Sequence, residues 1–239
     1  MQYEAPSKTS ARRVLVTGGT GAIGSEIVRV LCAQNSVTAN FARDQVRANA
    51  LQHETACALF QADVGNEKAV AEMFHALAPL DCVVHVAGVV QDALLLRQSV
   101  EQWRETLRVN VDGAFLVARA ALQSCADGAR VVLIASRVGQ SGNAGQGAYA
   151  ASKAAVIALM RCAAREGGER GITFNAVCPG LVLSPLTESL SETRLDELRA
   201  RSVLNRFGTA GEVASAVQWL LGAEAAGVSG QVVHFDSRF

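Results

Sequence analysis

Tyr149 and Lys153 stand four residues apart in Tyr149-Ala150-Ala151-Ser152-Lys153, a spacing that puts both side chains on one face of a helix. A phenol with a pKa near 10 is a poor acid–base group at neutral pH. Moving it by about three units takes roughly 4 kcal/mol of differential stabilisation, at about 1.36 kcal/mol per unit. A lysine cation one turn along, with the positive charge of an oxidised nicotinamide, could supply that in a water-poor cleft. Such a pair also arises on ordinary surface helices, so its setting decides. Ser136 closes the β-branched run Arg130–Ala135, and a hydroxyl at that strand tip could polarise a substrate carbonyl. Tyr149 is the proton donor of this reading, with Ser136 and Lys153 beside it.

A nucleotide turn lies upstream. Thr17-Gly18-Gly19-Thr20-Gly21-Ala22-Ile23-Gly24 follows a strand-like run and opens a helix-like one. Glycines there let the backbone turn sharply against a diphosphate, and a helix N-terminus adds N–H donors and partial positive charge. Gly18, Gly19, Thr20, Gly21, Ile23 and Gly24 are the residues expected to bind it. The tip of the second strand should face the adenosine ribose, where an acid reads the 2′-hydroxyl of NAD and a cation the 2′-phosphate of NADP. Val37–Arg43 carries no acid at that tip. Asn40 and Arg43 can donate to phosphate, while Asp44 reads as the N-cap of the next helix, so NADPH is the expected cofactor. Asp63-Val64 and Ala87-Gly88 close the third and fourth strands. Asp63 could accept from an adenine amino group, and the bare backbone at Ala87-Gly88 could admit a ribose; turn chemistry accounts for either pair as well.

The elements that must position these groups alternate along the chain. Strands are expected at Arg13–Thr17, Val37–Phe41, Ala58–Gln61, Cys82–Val86, Arg130–Ala135, Thr173–Val177 and Gln231–Phe235. Helices are expected at Ser25–Ala33, Asp44–His53, Glu67–Leu77, Val100–Ser124, Ala150–Glu169 and Gly211–Leu221. Strands alternating with helices imply right-handed βαβ crossovers, hence an α/β, doubly wound, seven-stranded parallel sheet with helices on both faces. Residues 1–239 read as one domain, with a flexible stretch at 1–11 and a substrate lid at 184–206, where a charged run suggests a short helix. Half of the 239 residues are apolar, and 22 basic residues balance 22 acidic ones, which disfavours nucleic acid and anionic membrane as partners. The six cysteines lack metal or disulfide spacing, so no metal site is expected. No apolar run approaches the ~18 residues of a membrane span and no signal-peptide core is visible, which reads as a soluble cytoplasmic protein.

Over nearly its whole length the chain resembles the short, single-domain short-chain dehydrogenase/reductases, which share the Rossmann fold, and among them the 3-oxoacyl-[acyl-carrier-protein] reductases. The resemblance rests on Thr17–Gly24, Asp63-Val64, Asp81–Gly88, Arg108-Val109-Asn110-Val111 and Ser136. It continues in Gly142-Asn143-Ala144-Gly145-Gln146 before Tyr149, Pro179-Gly180, Asn205-Arg206-Phe207-Gly208 and Ser229-Gly230-Gln231. It implies a catalytic tetrad of Asn110, Ser136, Tyr149 and Lys153, with Tyr149 and Lys153 also touching the cofactor. Asn110 would hold a water joining Lys153 to solvent; from the residues alone, a part in kinking its helix serves equally. Val182 would contact the nicotinamide carboxamide through its backbone. The implied reaction is NADPH-dependent reduction of a 3-oxoacyl thioester, carried by acyl carrier protein, in fatty-acid or polyketide-type synthesis by a homodimer or homotetramer. The alternatives are a free ketone, alcohol or CoA thioester as substrate, or an idle nucleotide-binding partner subunit.

Three departures stand out. Ala22 replaces a usual glycine of the turn, and His85-Val86 replaces the Asn-Asn that precedes Ala-Gly. Val86 lacks the hydrogen bonds that usually tie the strands, and His85 is expected to be packed. Asp236-Ser237-Arg238 replaces a glycine-rich segment used for tetramer contacts. Arg170 matches a carrier-docking position, but Asp127 is expected to repel an acidic carrier; Arg161, Arg165 and Arg201 could compensate.

Overall fold

The computed structural model describes residues 11–182 and 191–236. Residues 1–10 and 183–190, which contain most of the expected flexible stretch and the front of the expected lid, lie outside the described residues, as do 237–239. The strands are β1 (Arg13–Thr17), β2 (Ser36–Phe41), β3 (Ala58–Gln61), β4 (Cys82–His85), β5 (Arg130–Ile134), β6 (Thr173–Pro179) and β7 (Val232–Phe235). All pairings are parallel, in the order β3-β2-β1-β4-β5-β6-β7. The chain winds outward in one direction from β1 to β3 and in the other from β4 to β7. The crevice between β1 and β4 is therefore the switch point where such sheets take ligands, at their carboxyl ends.

The helices are α1 (Ala22–Cys32), α2 (Gln45–Thr55), α3 (Glu67–Leu77), α4 (Val100–Leu107), α5 (Gly113–Ser124), α6 (Val138–Ser141), α7 (Gly147–Glu166), α8 (Glu192–Ala200) and α9 (Ala210–Leu221). Side chains alternate across each strand, so Leu15, Val83 and Leu133 pack with α3, α5 and α7, while Val14, Val16, Val84 and Val132 pack with α1 and α9. Burying each of these stabilises the fold by about 1.5–3 kcal/mol. Leu15 and Leu133 are wholly buried, and truncating either to alanine should cost about 2–5 kcal/mol.

Local signals start the helices where the site needs them. Asp44 caps α2 by accepting the Arg47 N–H, as the sequence suggests, and Ser99 with Gln102 forms a capping box at α4. Thr209 and Glu212 do the same for α9. The expected single helix Val100–Ser124 is broken by a π turn at Arg108–Asp112, which contains Asn110. Helix α7 begins earlier than expected, at Gly147, which sets Tyr149 in its first turn. α8 falls within the expected lid. Among the described residues no helix is long and apolar enough to cross a membrane.

Candidate active site

Three elements deliver the chemical groups to one place. Ser136 follows β5 directly, and its Oγ accepts the Val138 N–H at 3.2 Å. Its hydroxyl is near enough to the Tyr149 phenol to act to lower its pKa. Lys153, one turn beyond Tyr149, is 4% exposed and donates from Nζ to the Ile134 carbonyl at 2.8 Å. The ammonium thus sits at the tip of β5, 5.8 Å from the centroid of the Tyr149 ring.

Asn110 supports this group from behind. Its Oδ1 accepts the Val89 N–H at 2.8 Å, and its Nδ2 donates to the Val89 carbonyl at 2.9 Å and to Ser152 Oγ at 3.0 Å. The Ser152 hydroxyl in turn donates to the Tyr149 carbonyl at 2.7 Å. The π turn, the loop after β4 and the start of α7 are locked together by one amide and one hydroxyl. A methyl on Gly88 would fit tightly here, 3.2 Å from Asn110 Oδ1 and 3.5 Å from Lys153 Nζ.

Burial governs the charges. It pushes the Tyr149 phenol above its ordinary pKa, against the Ser136 hydroxyl that lowers it. The downward shift expected from the sequence does not appear in the protein alone, because burial outweighs the Ser136 contribution and Lys153 is not among the groups that lower the phenol. Burial lowers Lys153 to about 8, partly offset by the Cys178 thiol. Sequence reasoning missed Asp92, which accepts from Gln146 Nε2 at 3.1 Å and acts to raise the Tyr149 pKa. It also missed Arg137, next to Ser136, whose Nε pairs with Asp236 at 2.8 Å. Neither has a motif signal, because the partners meet only through the fold.

At the nucleotide end the turn is closed by Gly21 N–H donating to the Gly18 carbonyl at 3.1 Å, and α1 starts with no side-chain cap. The first N–H groups of an α-helix have no partner within it, so the start of α1 offers donors to an anion. Gly18, at φ +63°, lies so close to β4 that a methyl on it would be 2.7 Å from Ala87 Cα. Thr20 and Ile23 are partly exposed on this turn, beside exposed Gly21, whereas Gly19 and Gly24 are packed beneath it. An uncapped helix end opening on a bare turn fits a dinucleotide diphosphate.

The expected ribose readers separate. Arg43 is exposed at the end of β2. Asn40 is 1% exposed; its Nδ2 donates to the Ala62 and Phe60 carbonyls at 3.0 and 3.2 Å, and its Oδ1 accepts the Gly18 N–H at 3.4 Å. Asn40 therefore braces the glycine turn instead of presenting its amide to a phosphate. Asp63 Oδ1 accepts the Gly65 N–H at 2.9 Å and Oδ2 pairs with Arg108 at 3.0 Å, beside buried Val64. Val182 is buried and bridges to Gly208.

Away from the cleft, Arg170 is fully engaged. Its Nε pairs with Asp127 at 2.7 Å, and its two terminal nitrogens donate to the Leu122 and Cys125 carbonyls. Asp127 is thus the partner of the expected docking cation.

The profile of the family described as enoyl-(acyl carrier protein) reductase matches residues 19–237. The chain belongs to the short-chain dehydrogenase/reductase family. It is an oxidoreductase of that family. Its curated relatives include nodulation protein G of Rhizobium sp. (strain N33), 36% identical over 235 residues, covering 95% of this chain and 96% of that one. The acetoacetyl-CoA reductase of Rhizobium meliloti (strain 1021) is 33% identical over 231 residues, with 93% and 96% covered. The 3-oxoacyl-[acyl-carrier-protein] reductase FabG of Staphylococcus aureus (strain Mu50 / ATCC 700699) is 33% identical over 237 residues, with 94% and 96% covered. Among solved structures, BdcA in complex with NADPH superposes at a TM-score of 0.91 with 30% identity, over 98% of this chain and 96% of that one.

Proposed function

We propose that the protein is an NADPH-dependent reductase that converts a 3-oxoacyl thioester to its 3-hydroxyacyl form. The observation that carries this reading is the meeting of Ser136, Tyr149 and Lys153 at the tip of β5, beside the β1–β4 crevice. The relatives named for acetoacetyl-CoA and 3-oxoacyl-carrier reduction support the substrate class.

When bound, the reduced nicotinamide supplies the hydride to the ketone carbon. The start of α1, with Gly18, Gly19, Thr20, Gly21, Ile23 and Gly24, would hold the diphosphate. Arg43 would take the 2′-phosphate, Asp63 and Val64 the adenine, Ala87 and Gly88 the ribose, and Val182 the carboxamide. Ser136 Oγ holds the substrate carbonyl and polarises it. Tyr149, kept protonated by burial, donates its hydroxyl proton to the same oxygen. Two donors aimed at one oxygen stabilise charge as it develops, and removing either should cost about 10²–10³ in kcat. Lys153 would bind the ribose hydroxyls and stabilise the phenolate left behind. Both Nδ2 donors of Asn110 are committed to Val89 and Ser152, so a relay water there would have to donate to an oxygen of the π turn.

The paired Arg170 favours a second reading, in which the acyl group arrives on coenzyme A or free instead of on a carrier. Docking an acidic carrier would fall to exposed Arg161, Arg165 and Arg201. Exposed Trp103, Phe115 and Trp219 support a homo-oligomer, dimer or tetramer, and six unpaired cysteines suit a reducing compartment such as the cytoplasm. The test is a panel of 3-oxoacyl thioesters on carrier and on coenzyme A, followed by NADPH consumption. Turnover of either supports the reaction, and the preferred form separates the two readings. NADPH binding without turnover of any would support the idle-subunit alternative.

A further inference from the structure

His85, the last residue of β4, is the wholly buried imidazole that the chemistry above leaves unused. It faces Thr17, its register partner on β1, across the crevice where the strand order reverses. His85 Nδ1 and Thr17 Oγ1 are 2.8 Å apart, and Thr17 Oγ1 also accepts the Ala87 N–H at a long 3.5 Å. Thr17 leads into the glycine turn, and Ala87 is the residue that leaves no room for a methyl on Gly18. One side-chain pair therefore ties the two strand tips on which a dinucleotide would rest.

The other ring nitrogen, Nε2, is buried without a hydrogen-bond partner. The two nitrogens of an imidazole point to opposite edges of the ring. With Nδ1 turned to Thr17 on β1, Nε2 lies on the part of the ring turned away from that bond, and Lys153 is the cation near enough to act on the imidazole among the described residues. Lys153 reaches the Ile134 carbonyl and comes close to Gly88, three residues beyond His85. An Nε2–H turned toward an ammonium would be repelled, whereas an Nε2 lone pair is attracted. The favourable tautomer is thus the one in which Nδ1–H donates to Thr17 Oγ1.

We propose that His85 is a positioning residue: a permanently neutral imidazole whose Nδ1–H clamps β1 to β4 at the nucleotide crevice and whose Nε2 lone pair faces the Lys153 ammonium. Burial is the main reason it stays neutral, holding its pKa down to about 3, and Lys153 is the one charge that adds to this among the described residues. The clamp restores by a different route the tie that is lost with Val86. It concerns the cofactor end, so it stands whichever ketone is reduced.

The direct test is the tautomer of His85 in the whole, nucleotide-free protein, by nitrogen-15 histidine spectroscopy, with His85→Asn identifying its signal among the four histidines. The expected spectrum shows protonated Nδ1 and bare Nε2, unchanged from about pH 5 to 8. The Nε2 signal should also move in Lys153→Met. An Nε2–H tautomer, ordinary titration near about pH 6.5, or indifference to Lys153→Met would overturn the proposal. NADPH titration adds a second readout: His85→Phe should bind roughly tenfold more weakly, while His85→Asn, whose amide can still reach Thr17, stays within about threefold. Equal affinity for His85→Phe and the parent protein would also overturn it. Should His85→Phe fail to fold, the tautomer in the parent protein still decides.

Discussion

In the proposed mechanism the two ends of the cleft work by opposite means. At the nucleotide end, function would be backbone: a helix start without a cap, and glycines whose missing side chains leave room. At the chemical end, function would be side chain: a hydroxyl accepting from Val138, a phenol on a residue whose main-chain carbonyl Ser152 holds, and an ammonium held by the Ile134 carbonyl. The first end should suffer from added atoms and the second from removed ones. At the first end damage should appear as weaker cofactor binding or folding, and at the second as lost turnover in a sound fold.

The largest effect should come from removing the buried cation. Lys153→Met should lose at least about 10³ in reductive kcat/KM, as expected for a group that serves both phenol and ribose. The same change should raise stability at neutral pH by on the order of 2 kcal/mol in chemical denaturation, because a charge is no longer buried. The pH dependence follows from the depressed pKa. Lys153 is charged below about 8 in the folded protein and loses its proton as pH rises through that value. The kcat/KM for NADPH should therefore fall above about pH 8. In the unfolded chain the lysine stays charged to near 10.5, so folding stability should rise between those two values. A flat profile across that window would separate Lys153 from the chemistry.

Adding a methyl at the other end should do the reverse. Gly24→Ala puts a Cβ 2.2 Å from the Gly18 carbonyl oxygen, in backbone that cannot yield cheaply. The expected cost is about 1–3 kcal/mol of stability or a comparable loss of NADPH affinity, read by thermal unfolding and by nucleotide titration. Unchanged values in both would show that the turn is looser than described. The smallest effect belongs to exposed Arg43, where Arg43→Ala should raise the KM for NADPH by about tenfold and leave that for NADH unchanged. Equal changes for both cofactors would remove Arg43 from phosphate reading.

The same contrast explains what could be read in the sequence. The parallel sheet was legible because continuous apolar runs such as Cys82–Val84 and Val131–Ile134 mark strands buried on both faces. Ser136, Tyr149 and Lys153 were legible because a strand tip and a helical spacing of four fix them locally. Asn40 misled: its type suits phosphate, but its burial between β2 and β3 is a tertiary fact, and the amide braces the turn. The pairing of Asp127 with Arg170 was equally hidden, since it joins residues far apart in the chain. The π turn around Asn110 has no signal in the apolar pattern, which reads as one continuous helix, although the asparagine itself allowed for a kink there. The partner of His85 Nδ1 likewise depended on which strand lies beside β4.

The central claim is that Tyr149 donates the proton at a site whose nucleotide end is independent of it. Tyr149→Phe removes one oxygen and leaves the ring, Lys153 and the glycine turn in place. NADPH titration and single-turnover reduction of a 3-oxoacyl thioester should be measured on that variant together. NADPH affinity should stay within about threefold of the parent protein, and reduction should slow by about 10²–10³. Near-normal reduction by Tyr149→Phe would contradict it.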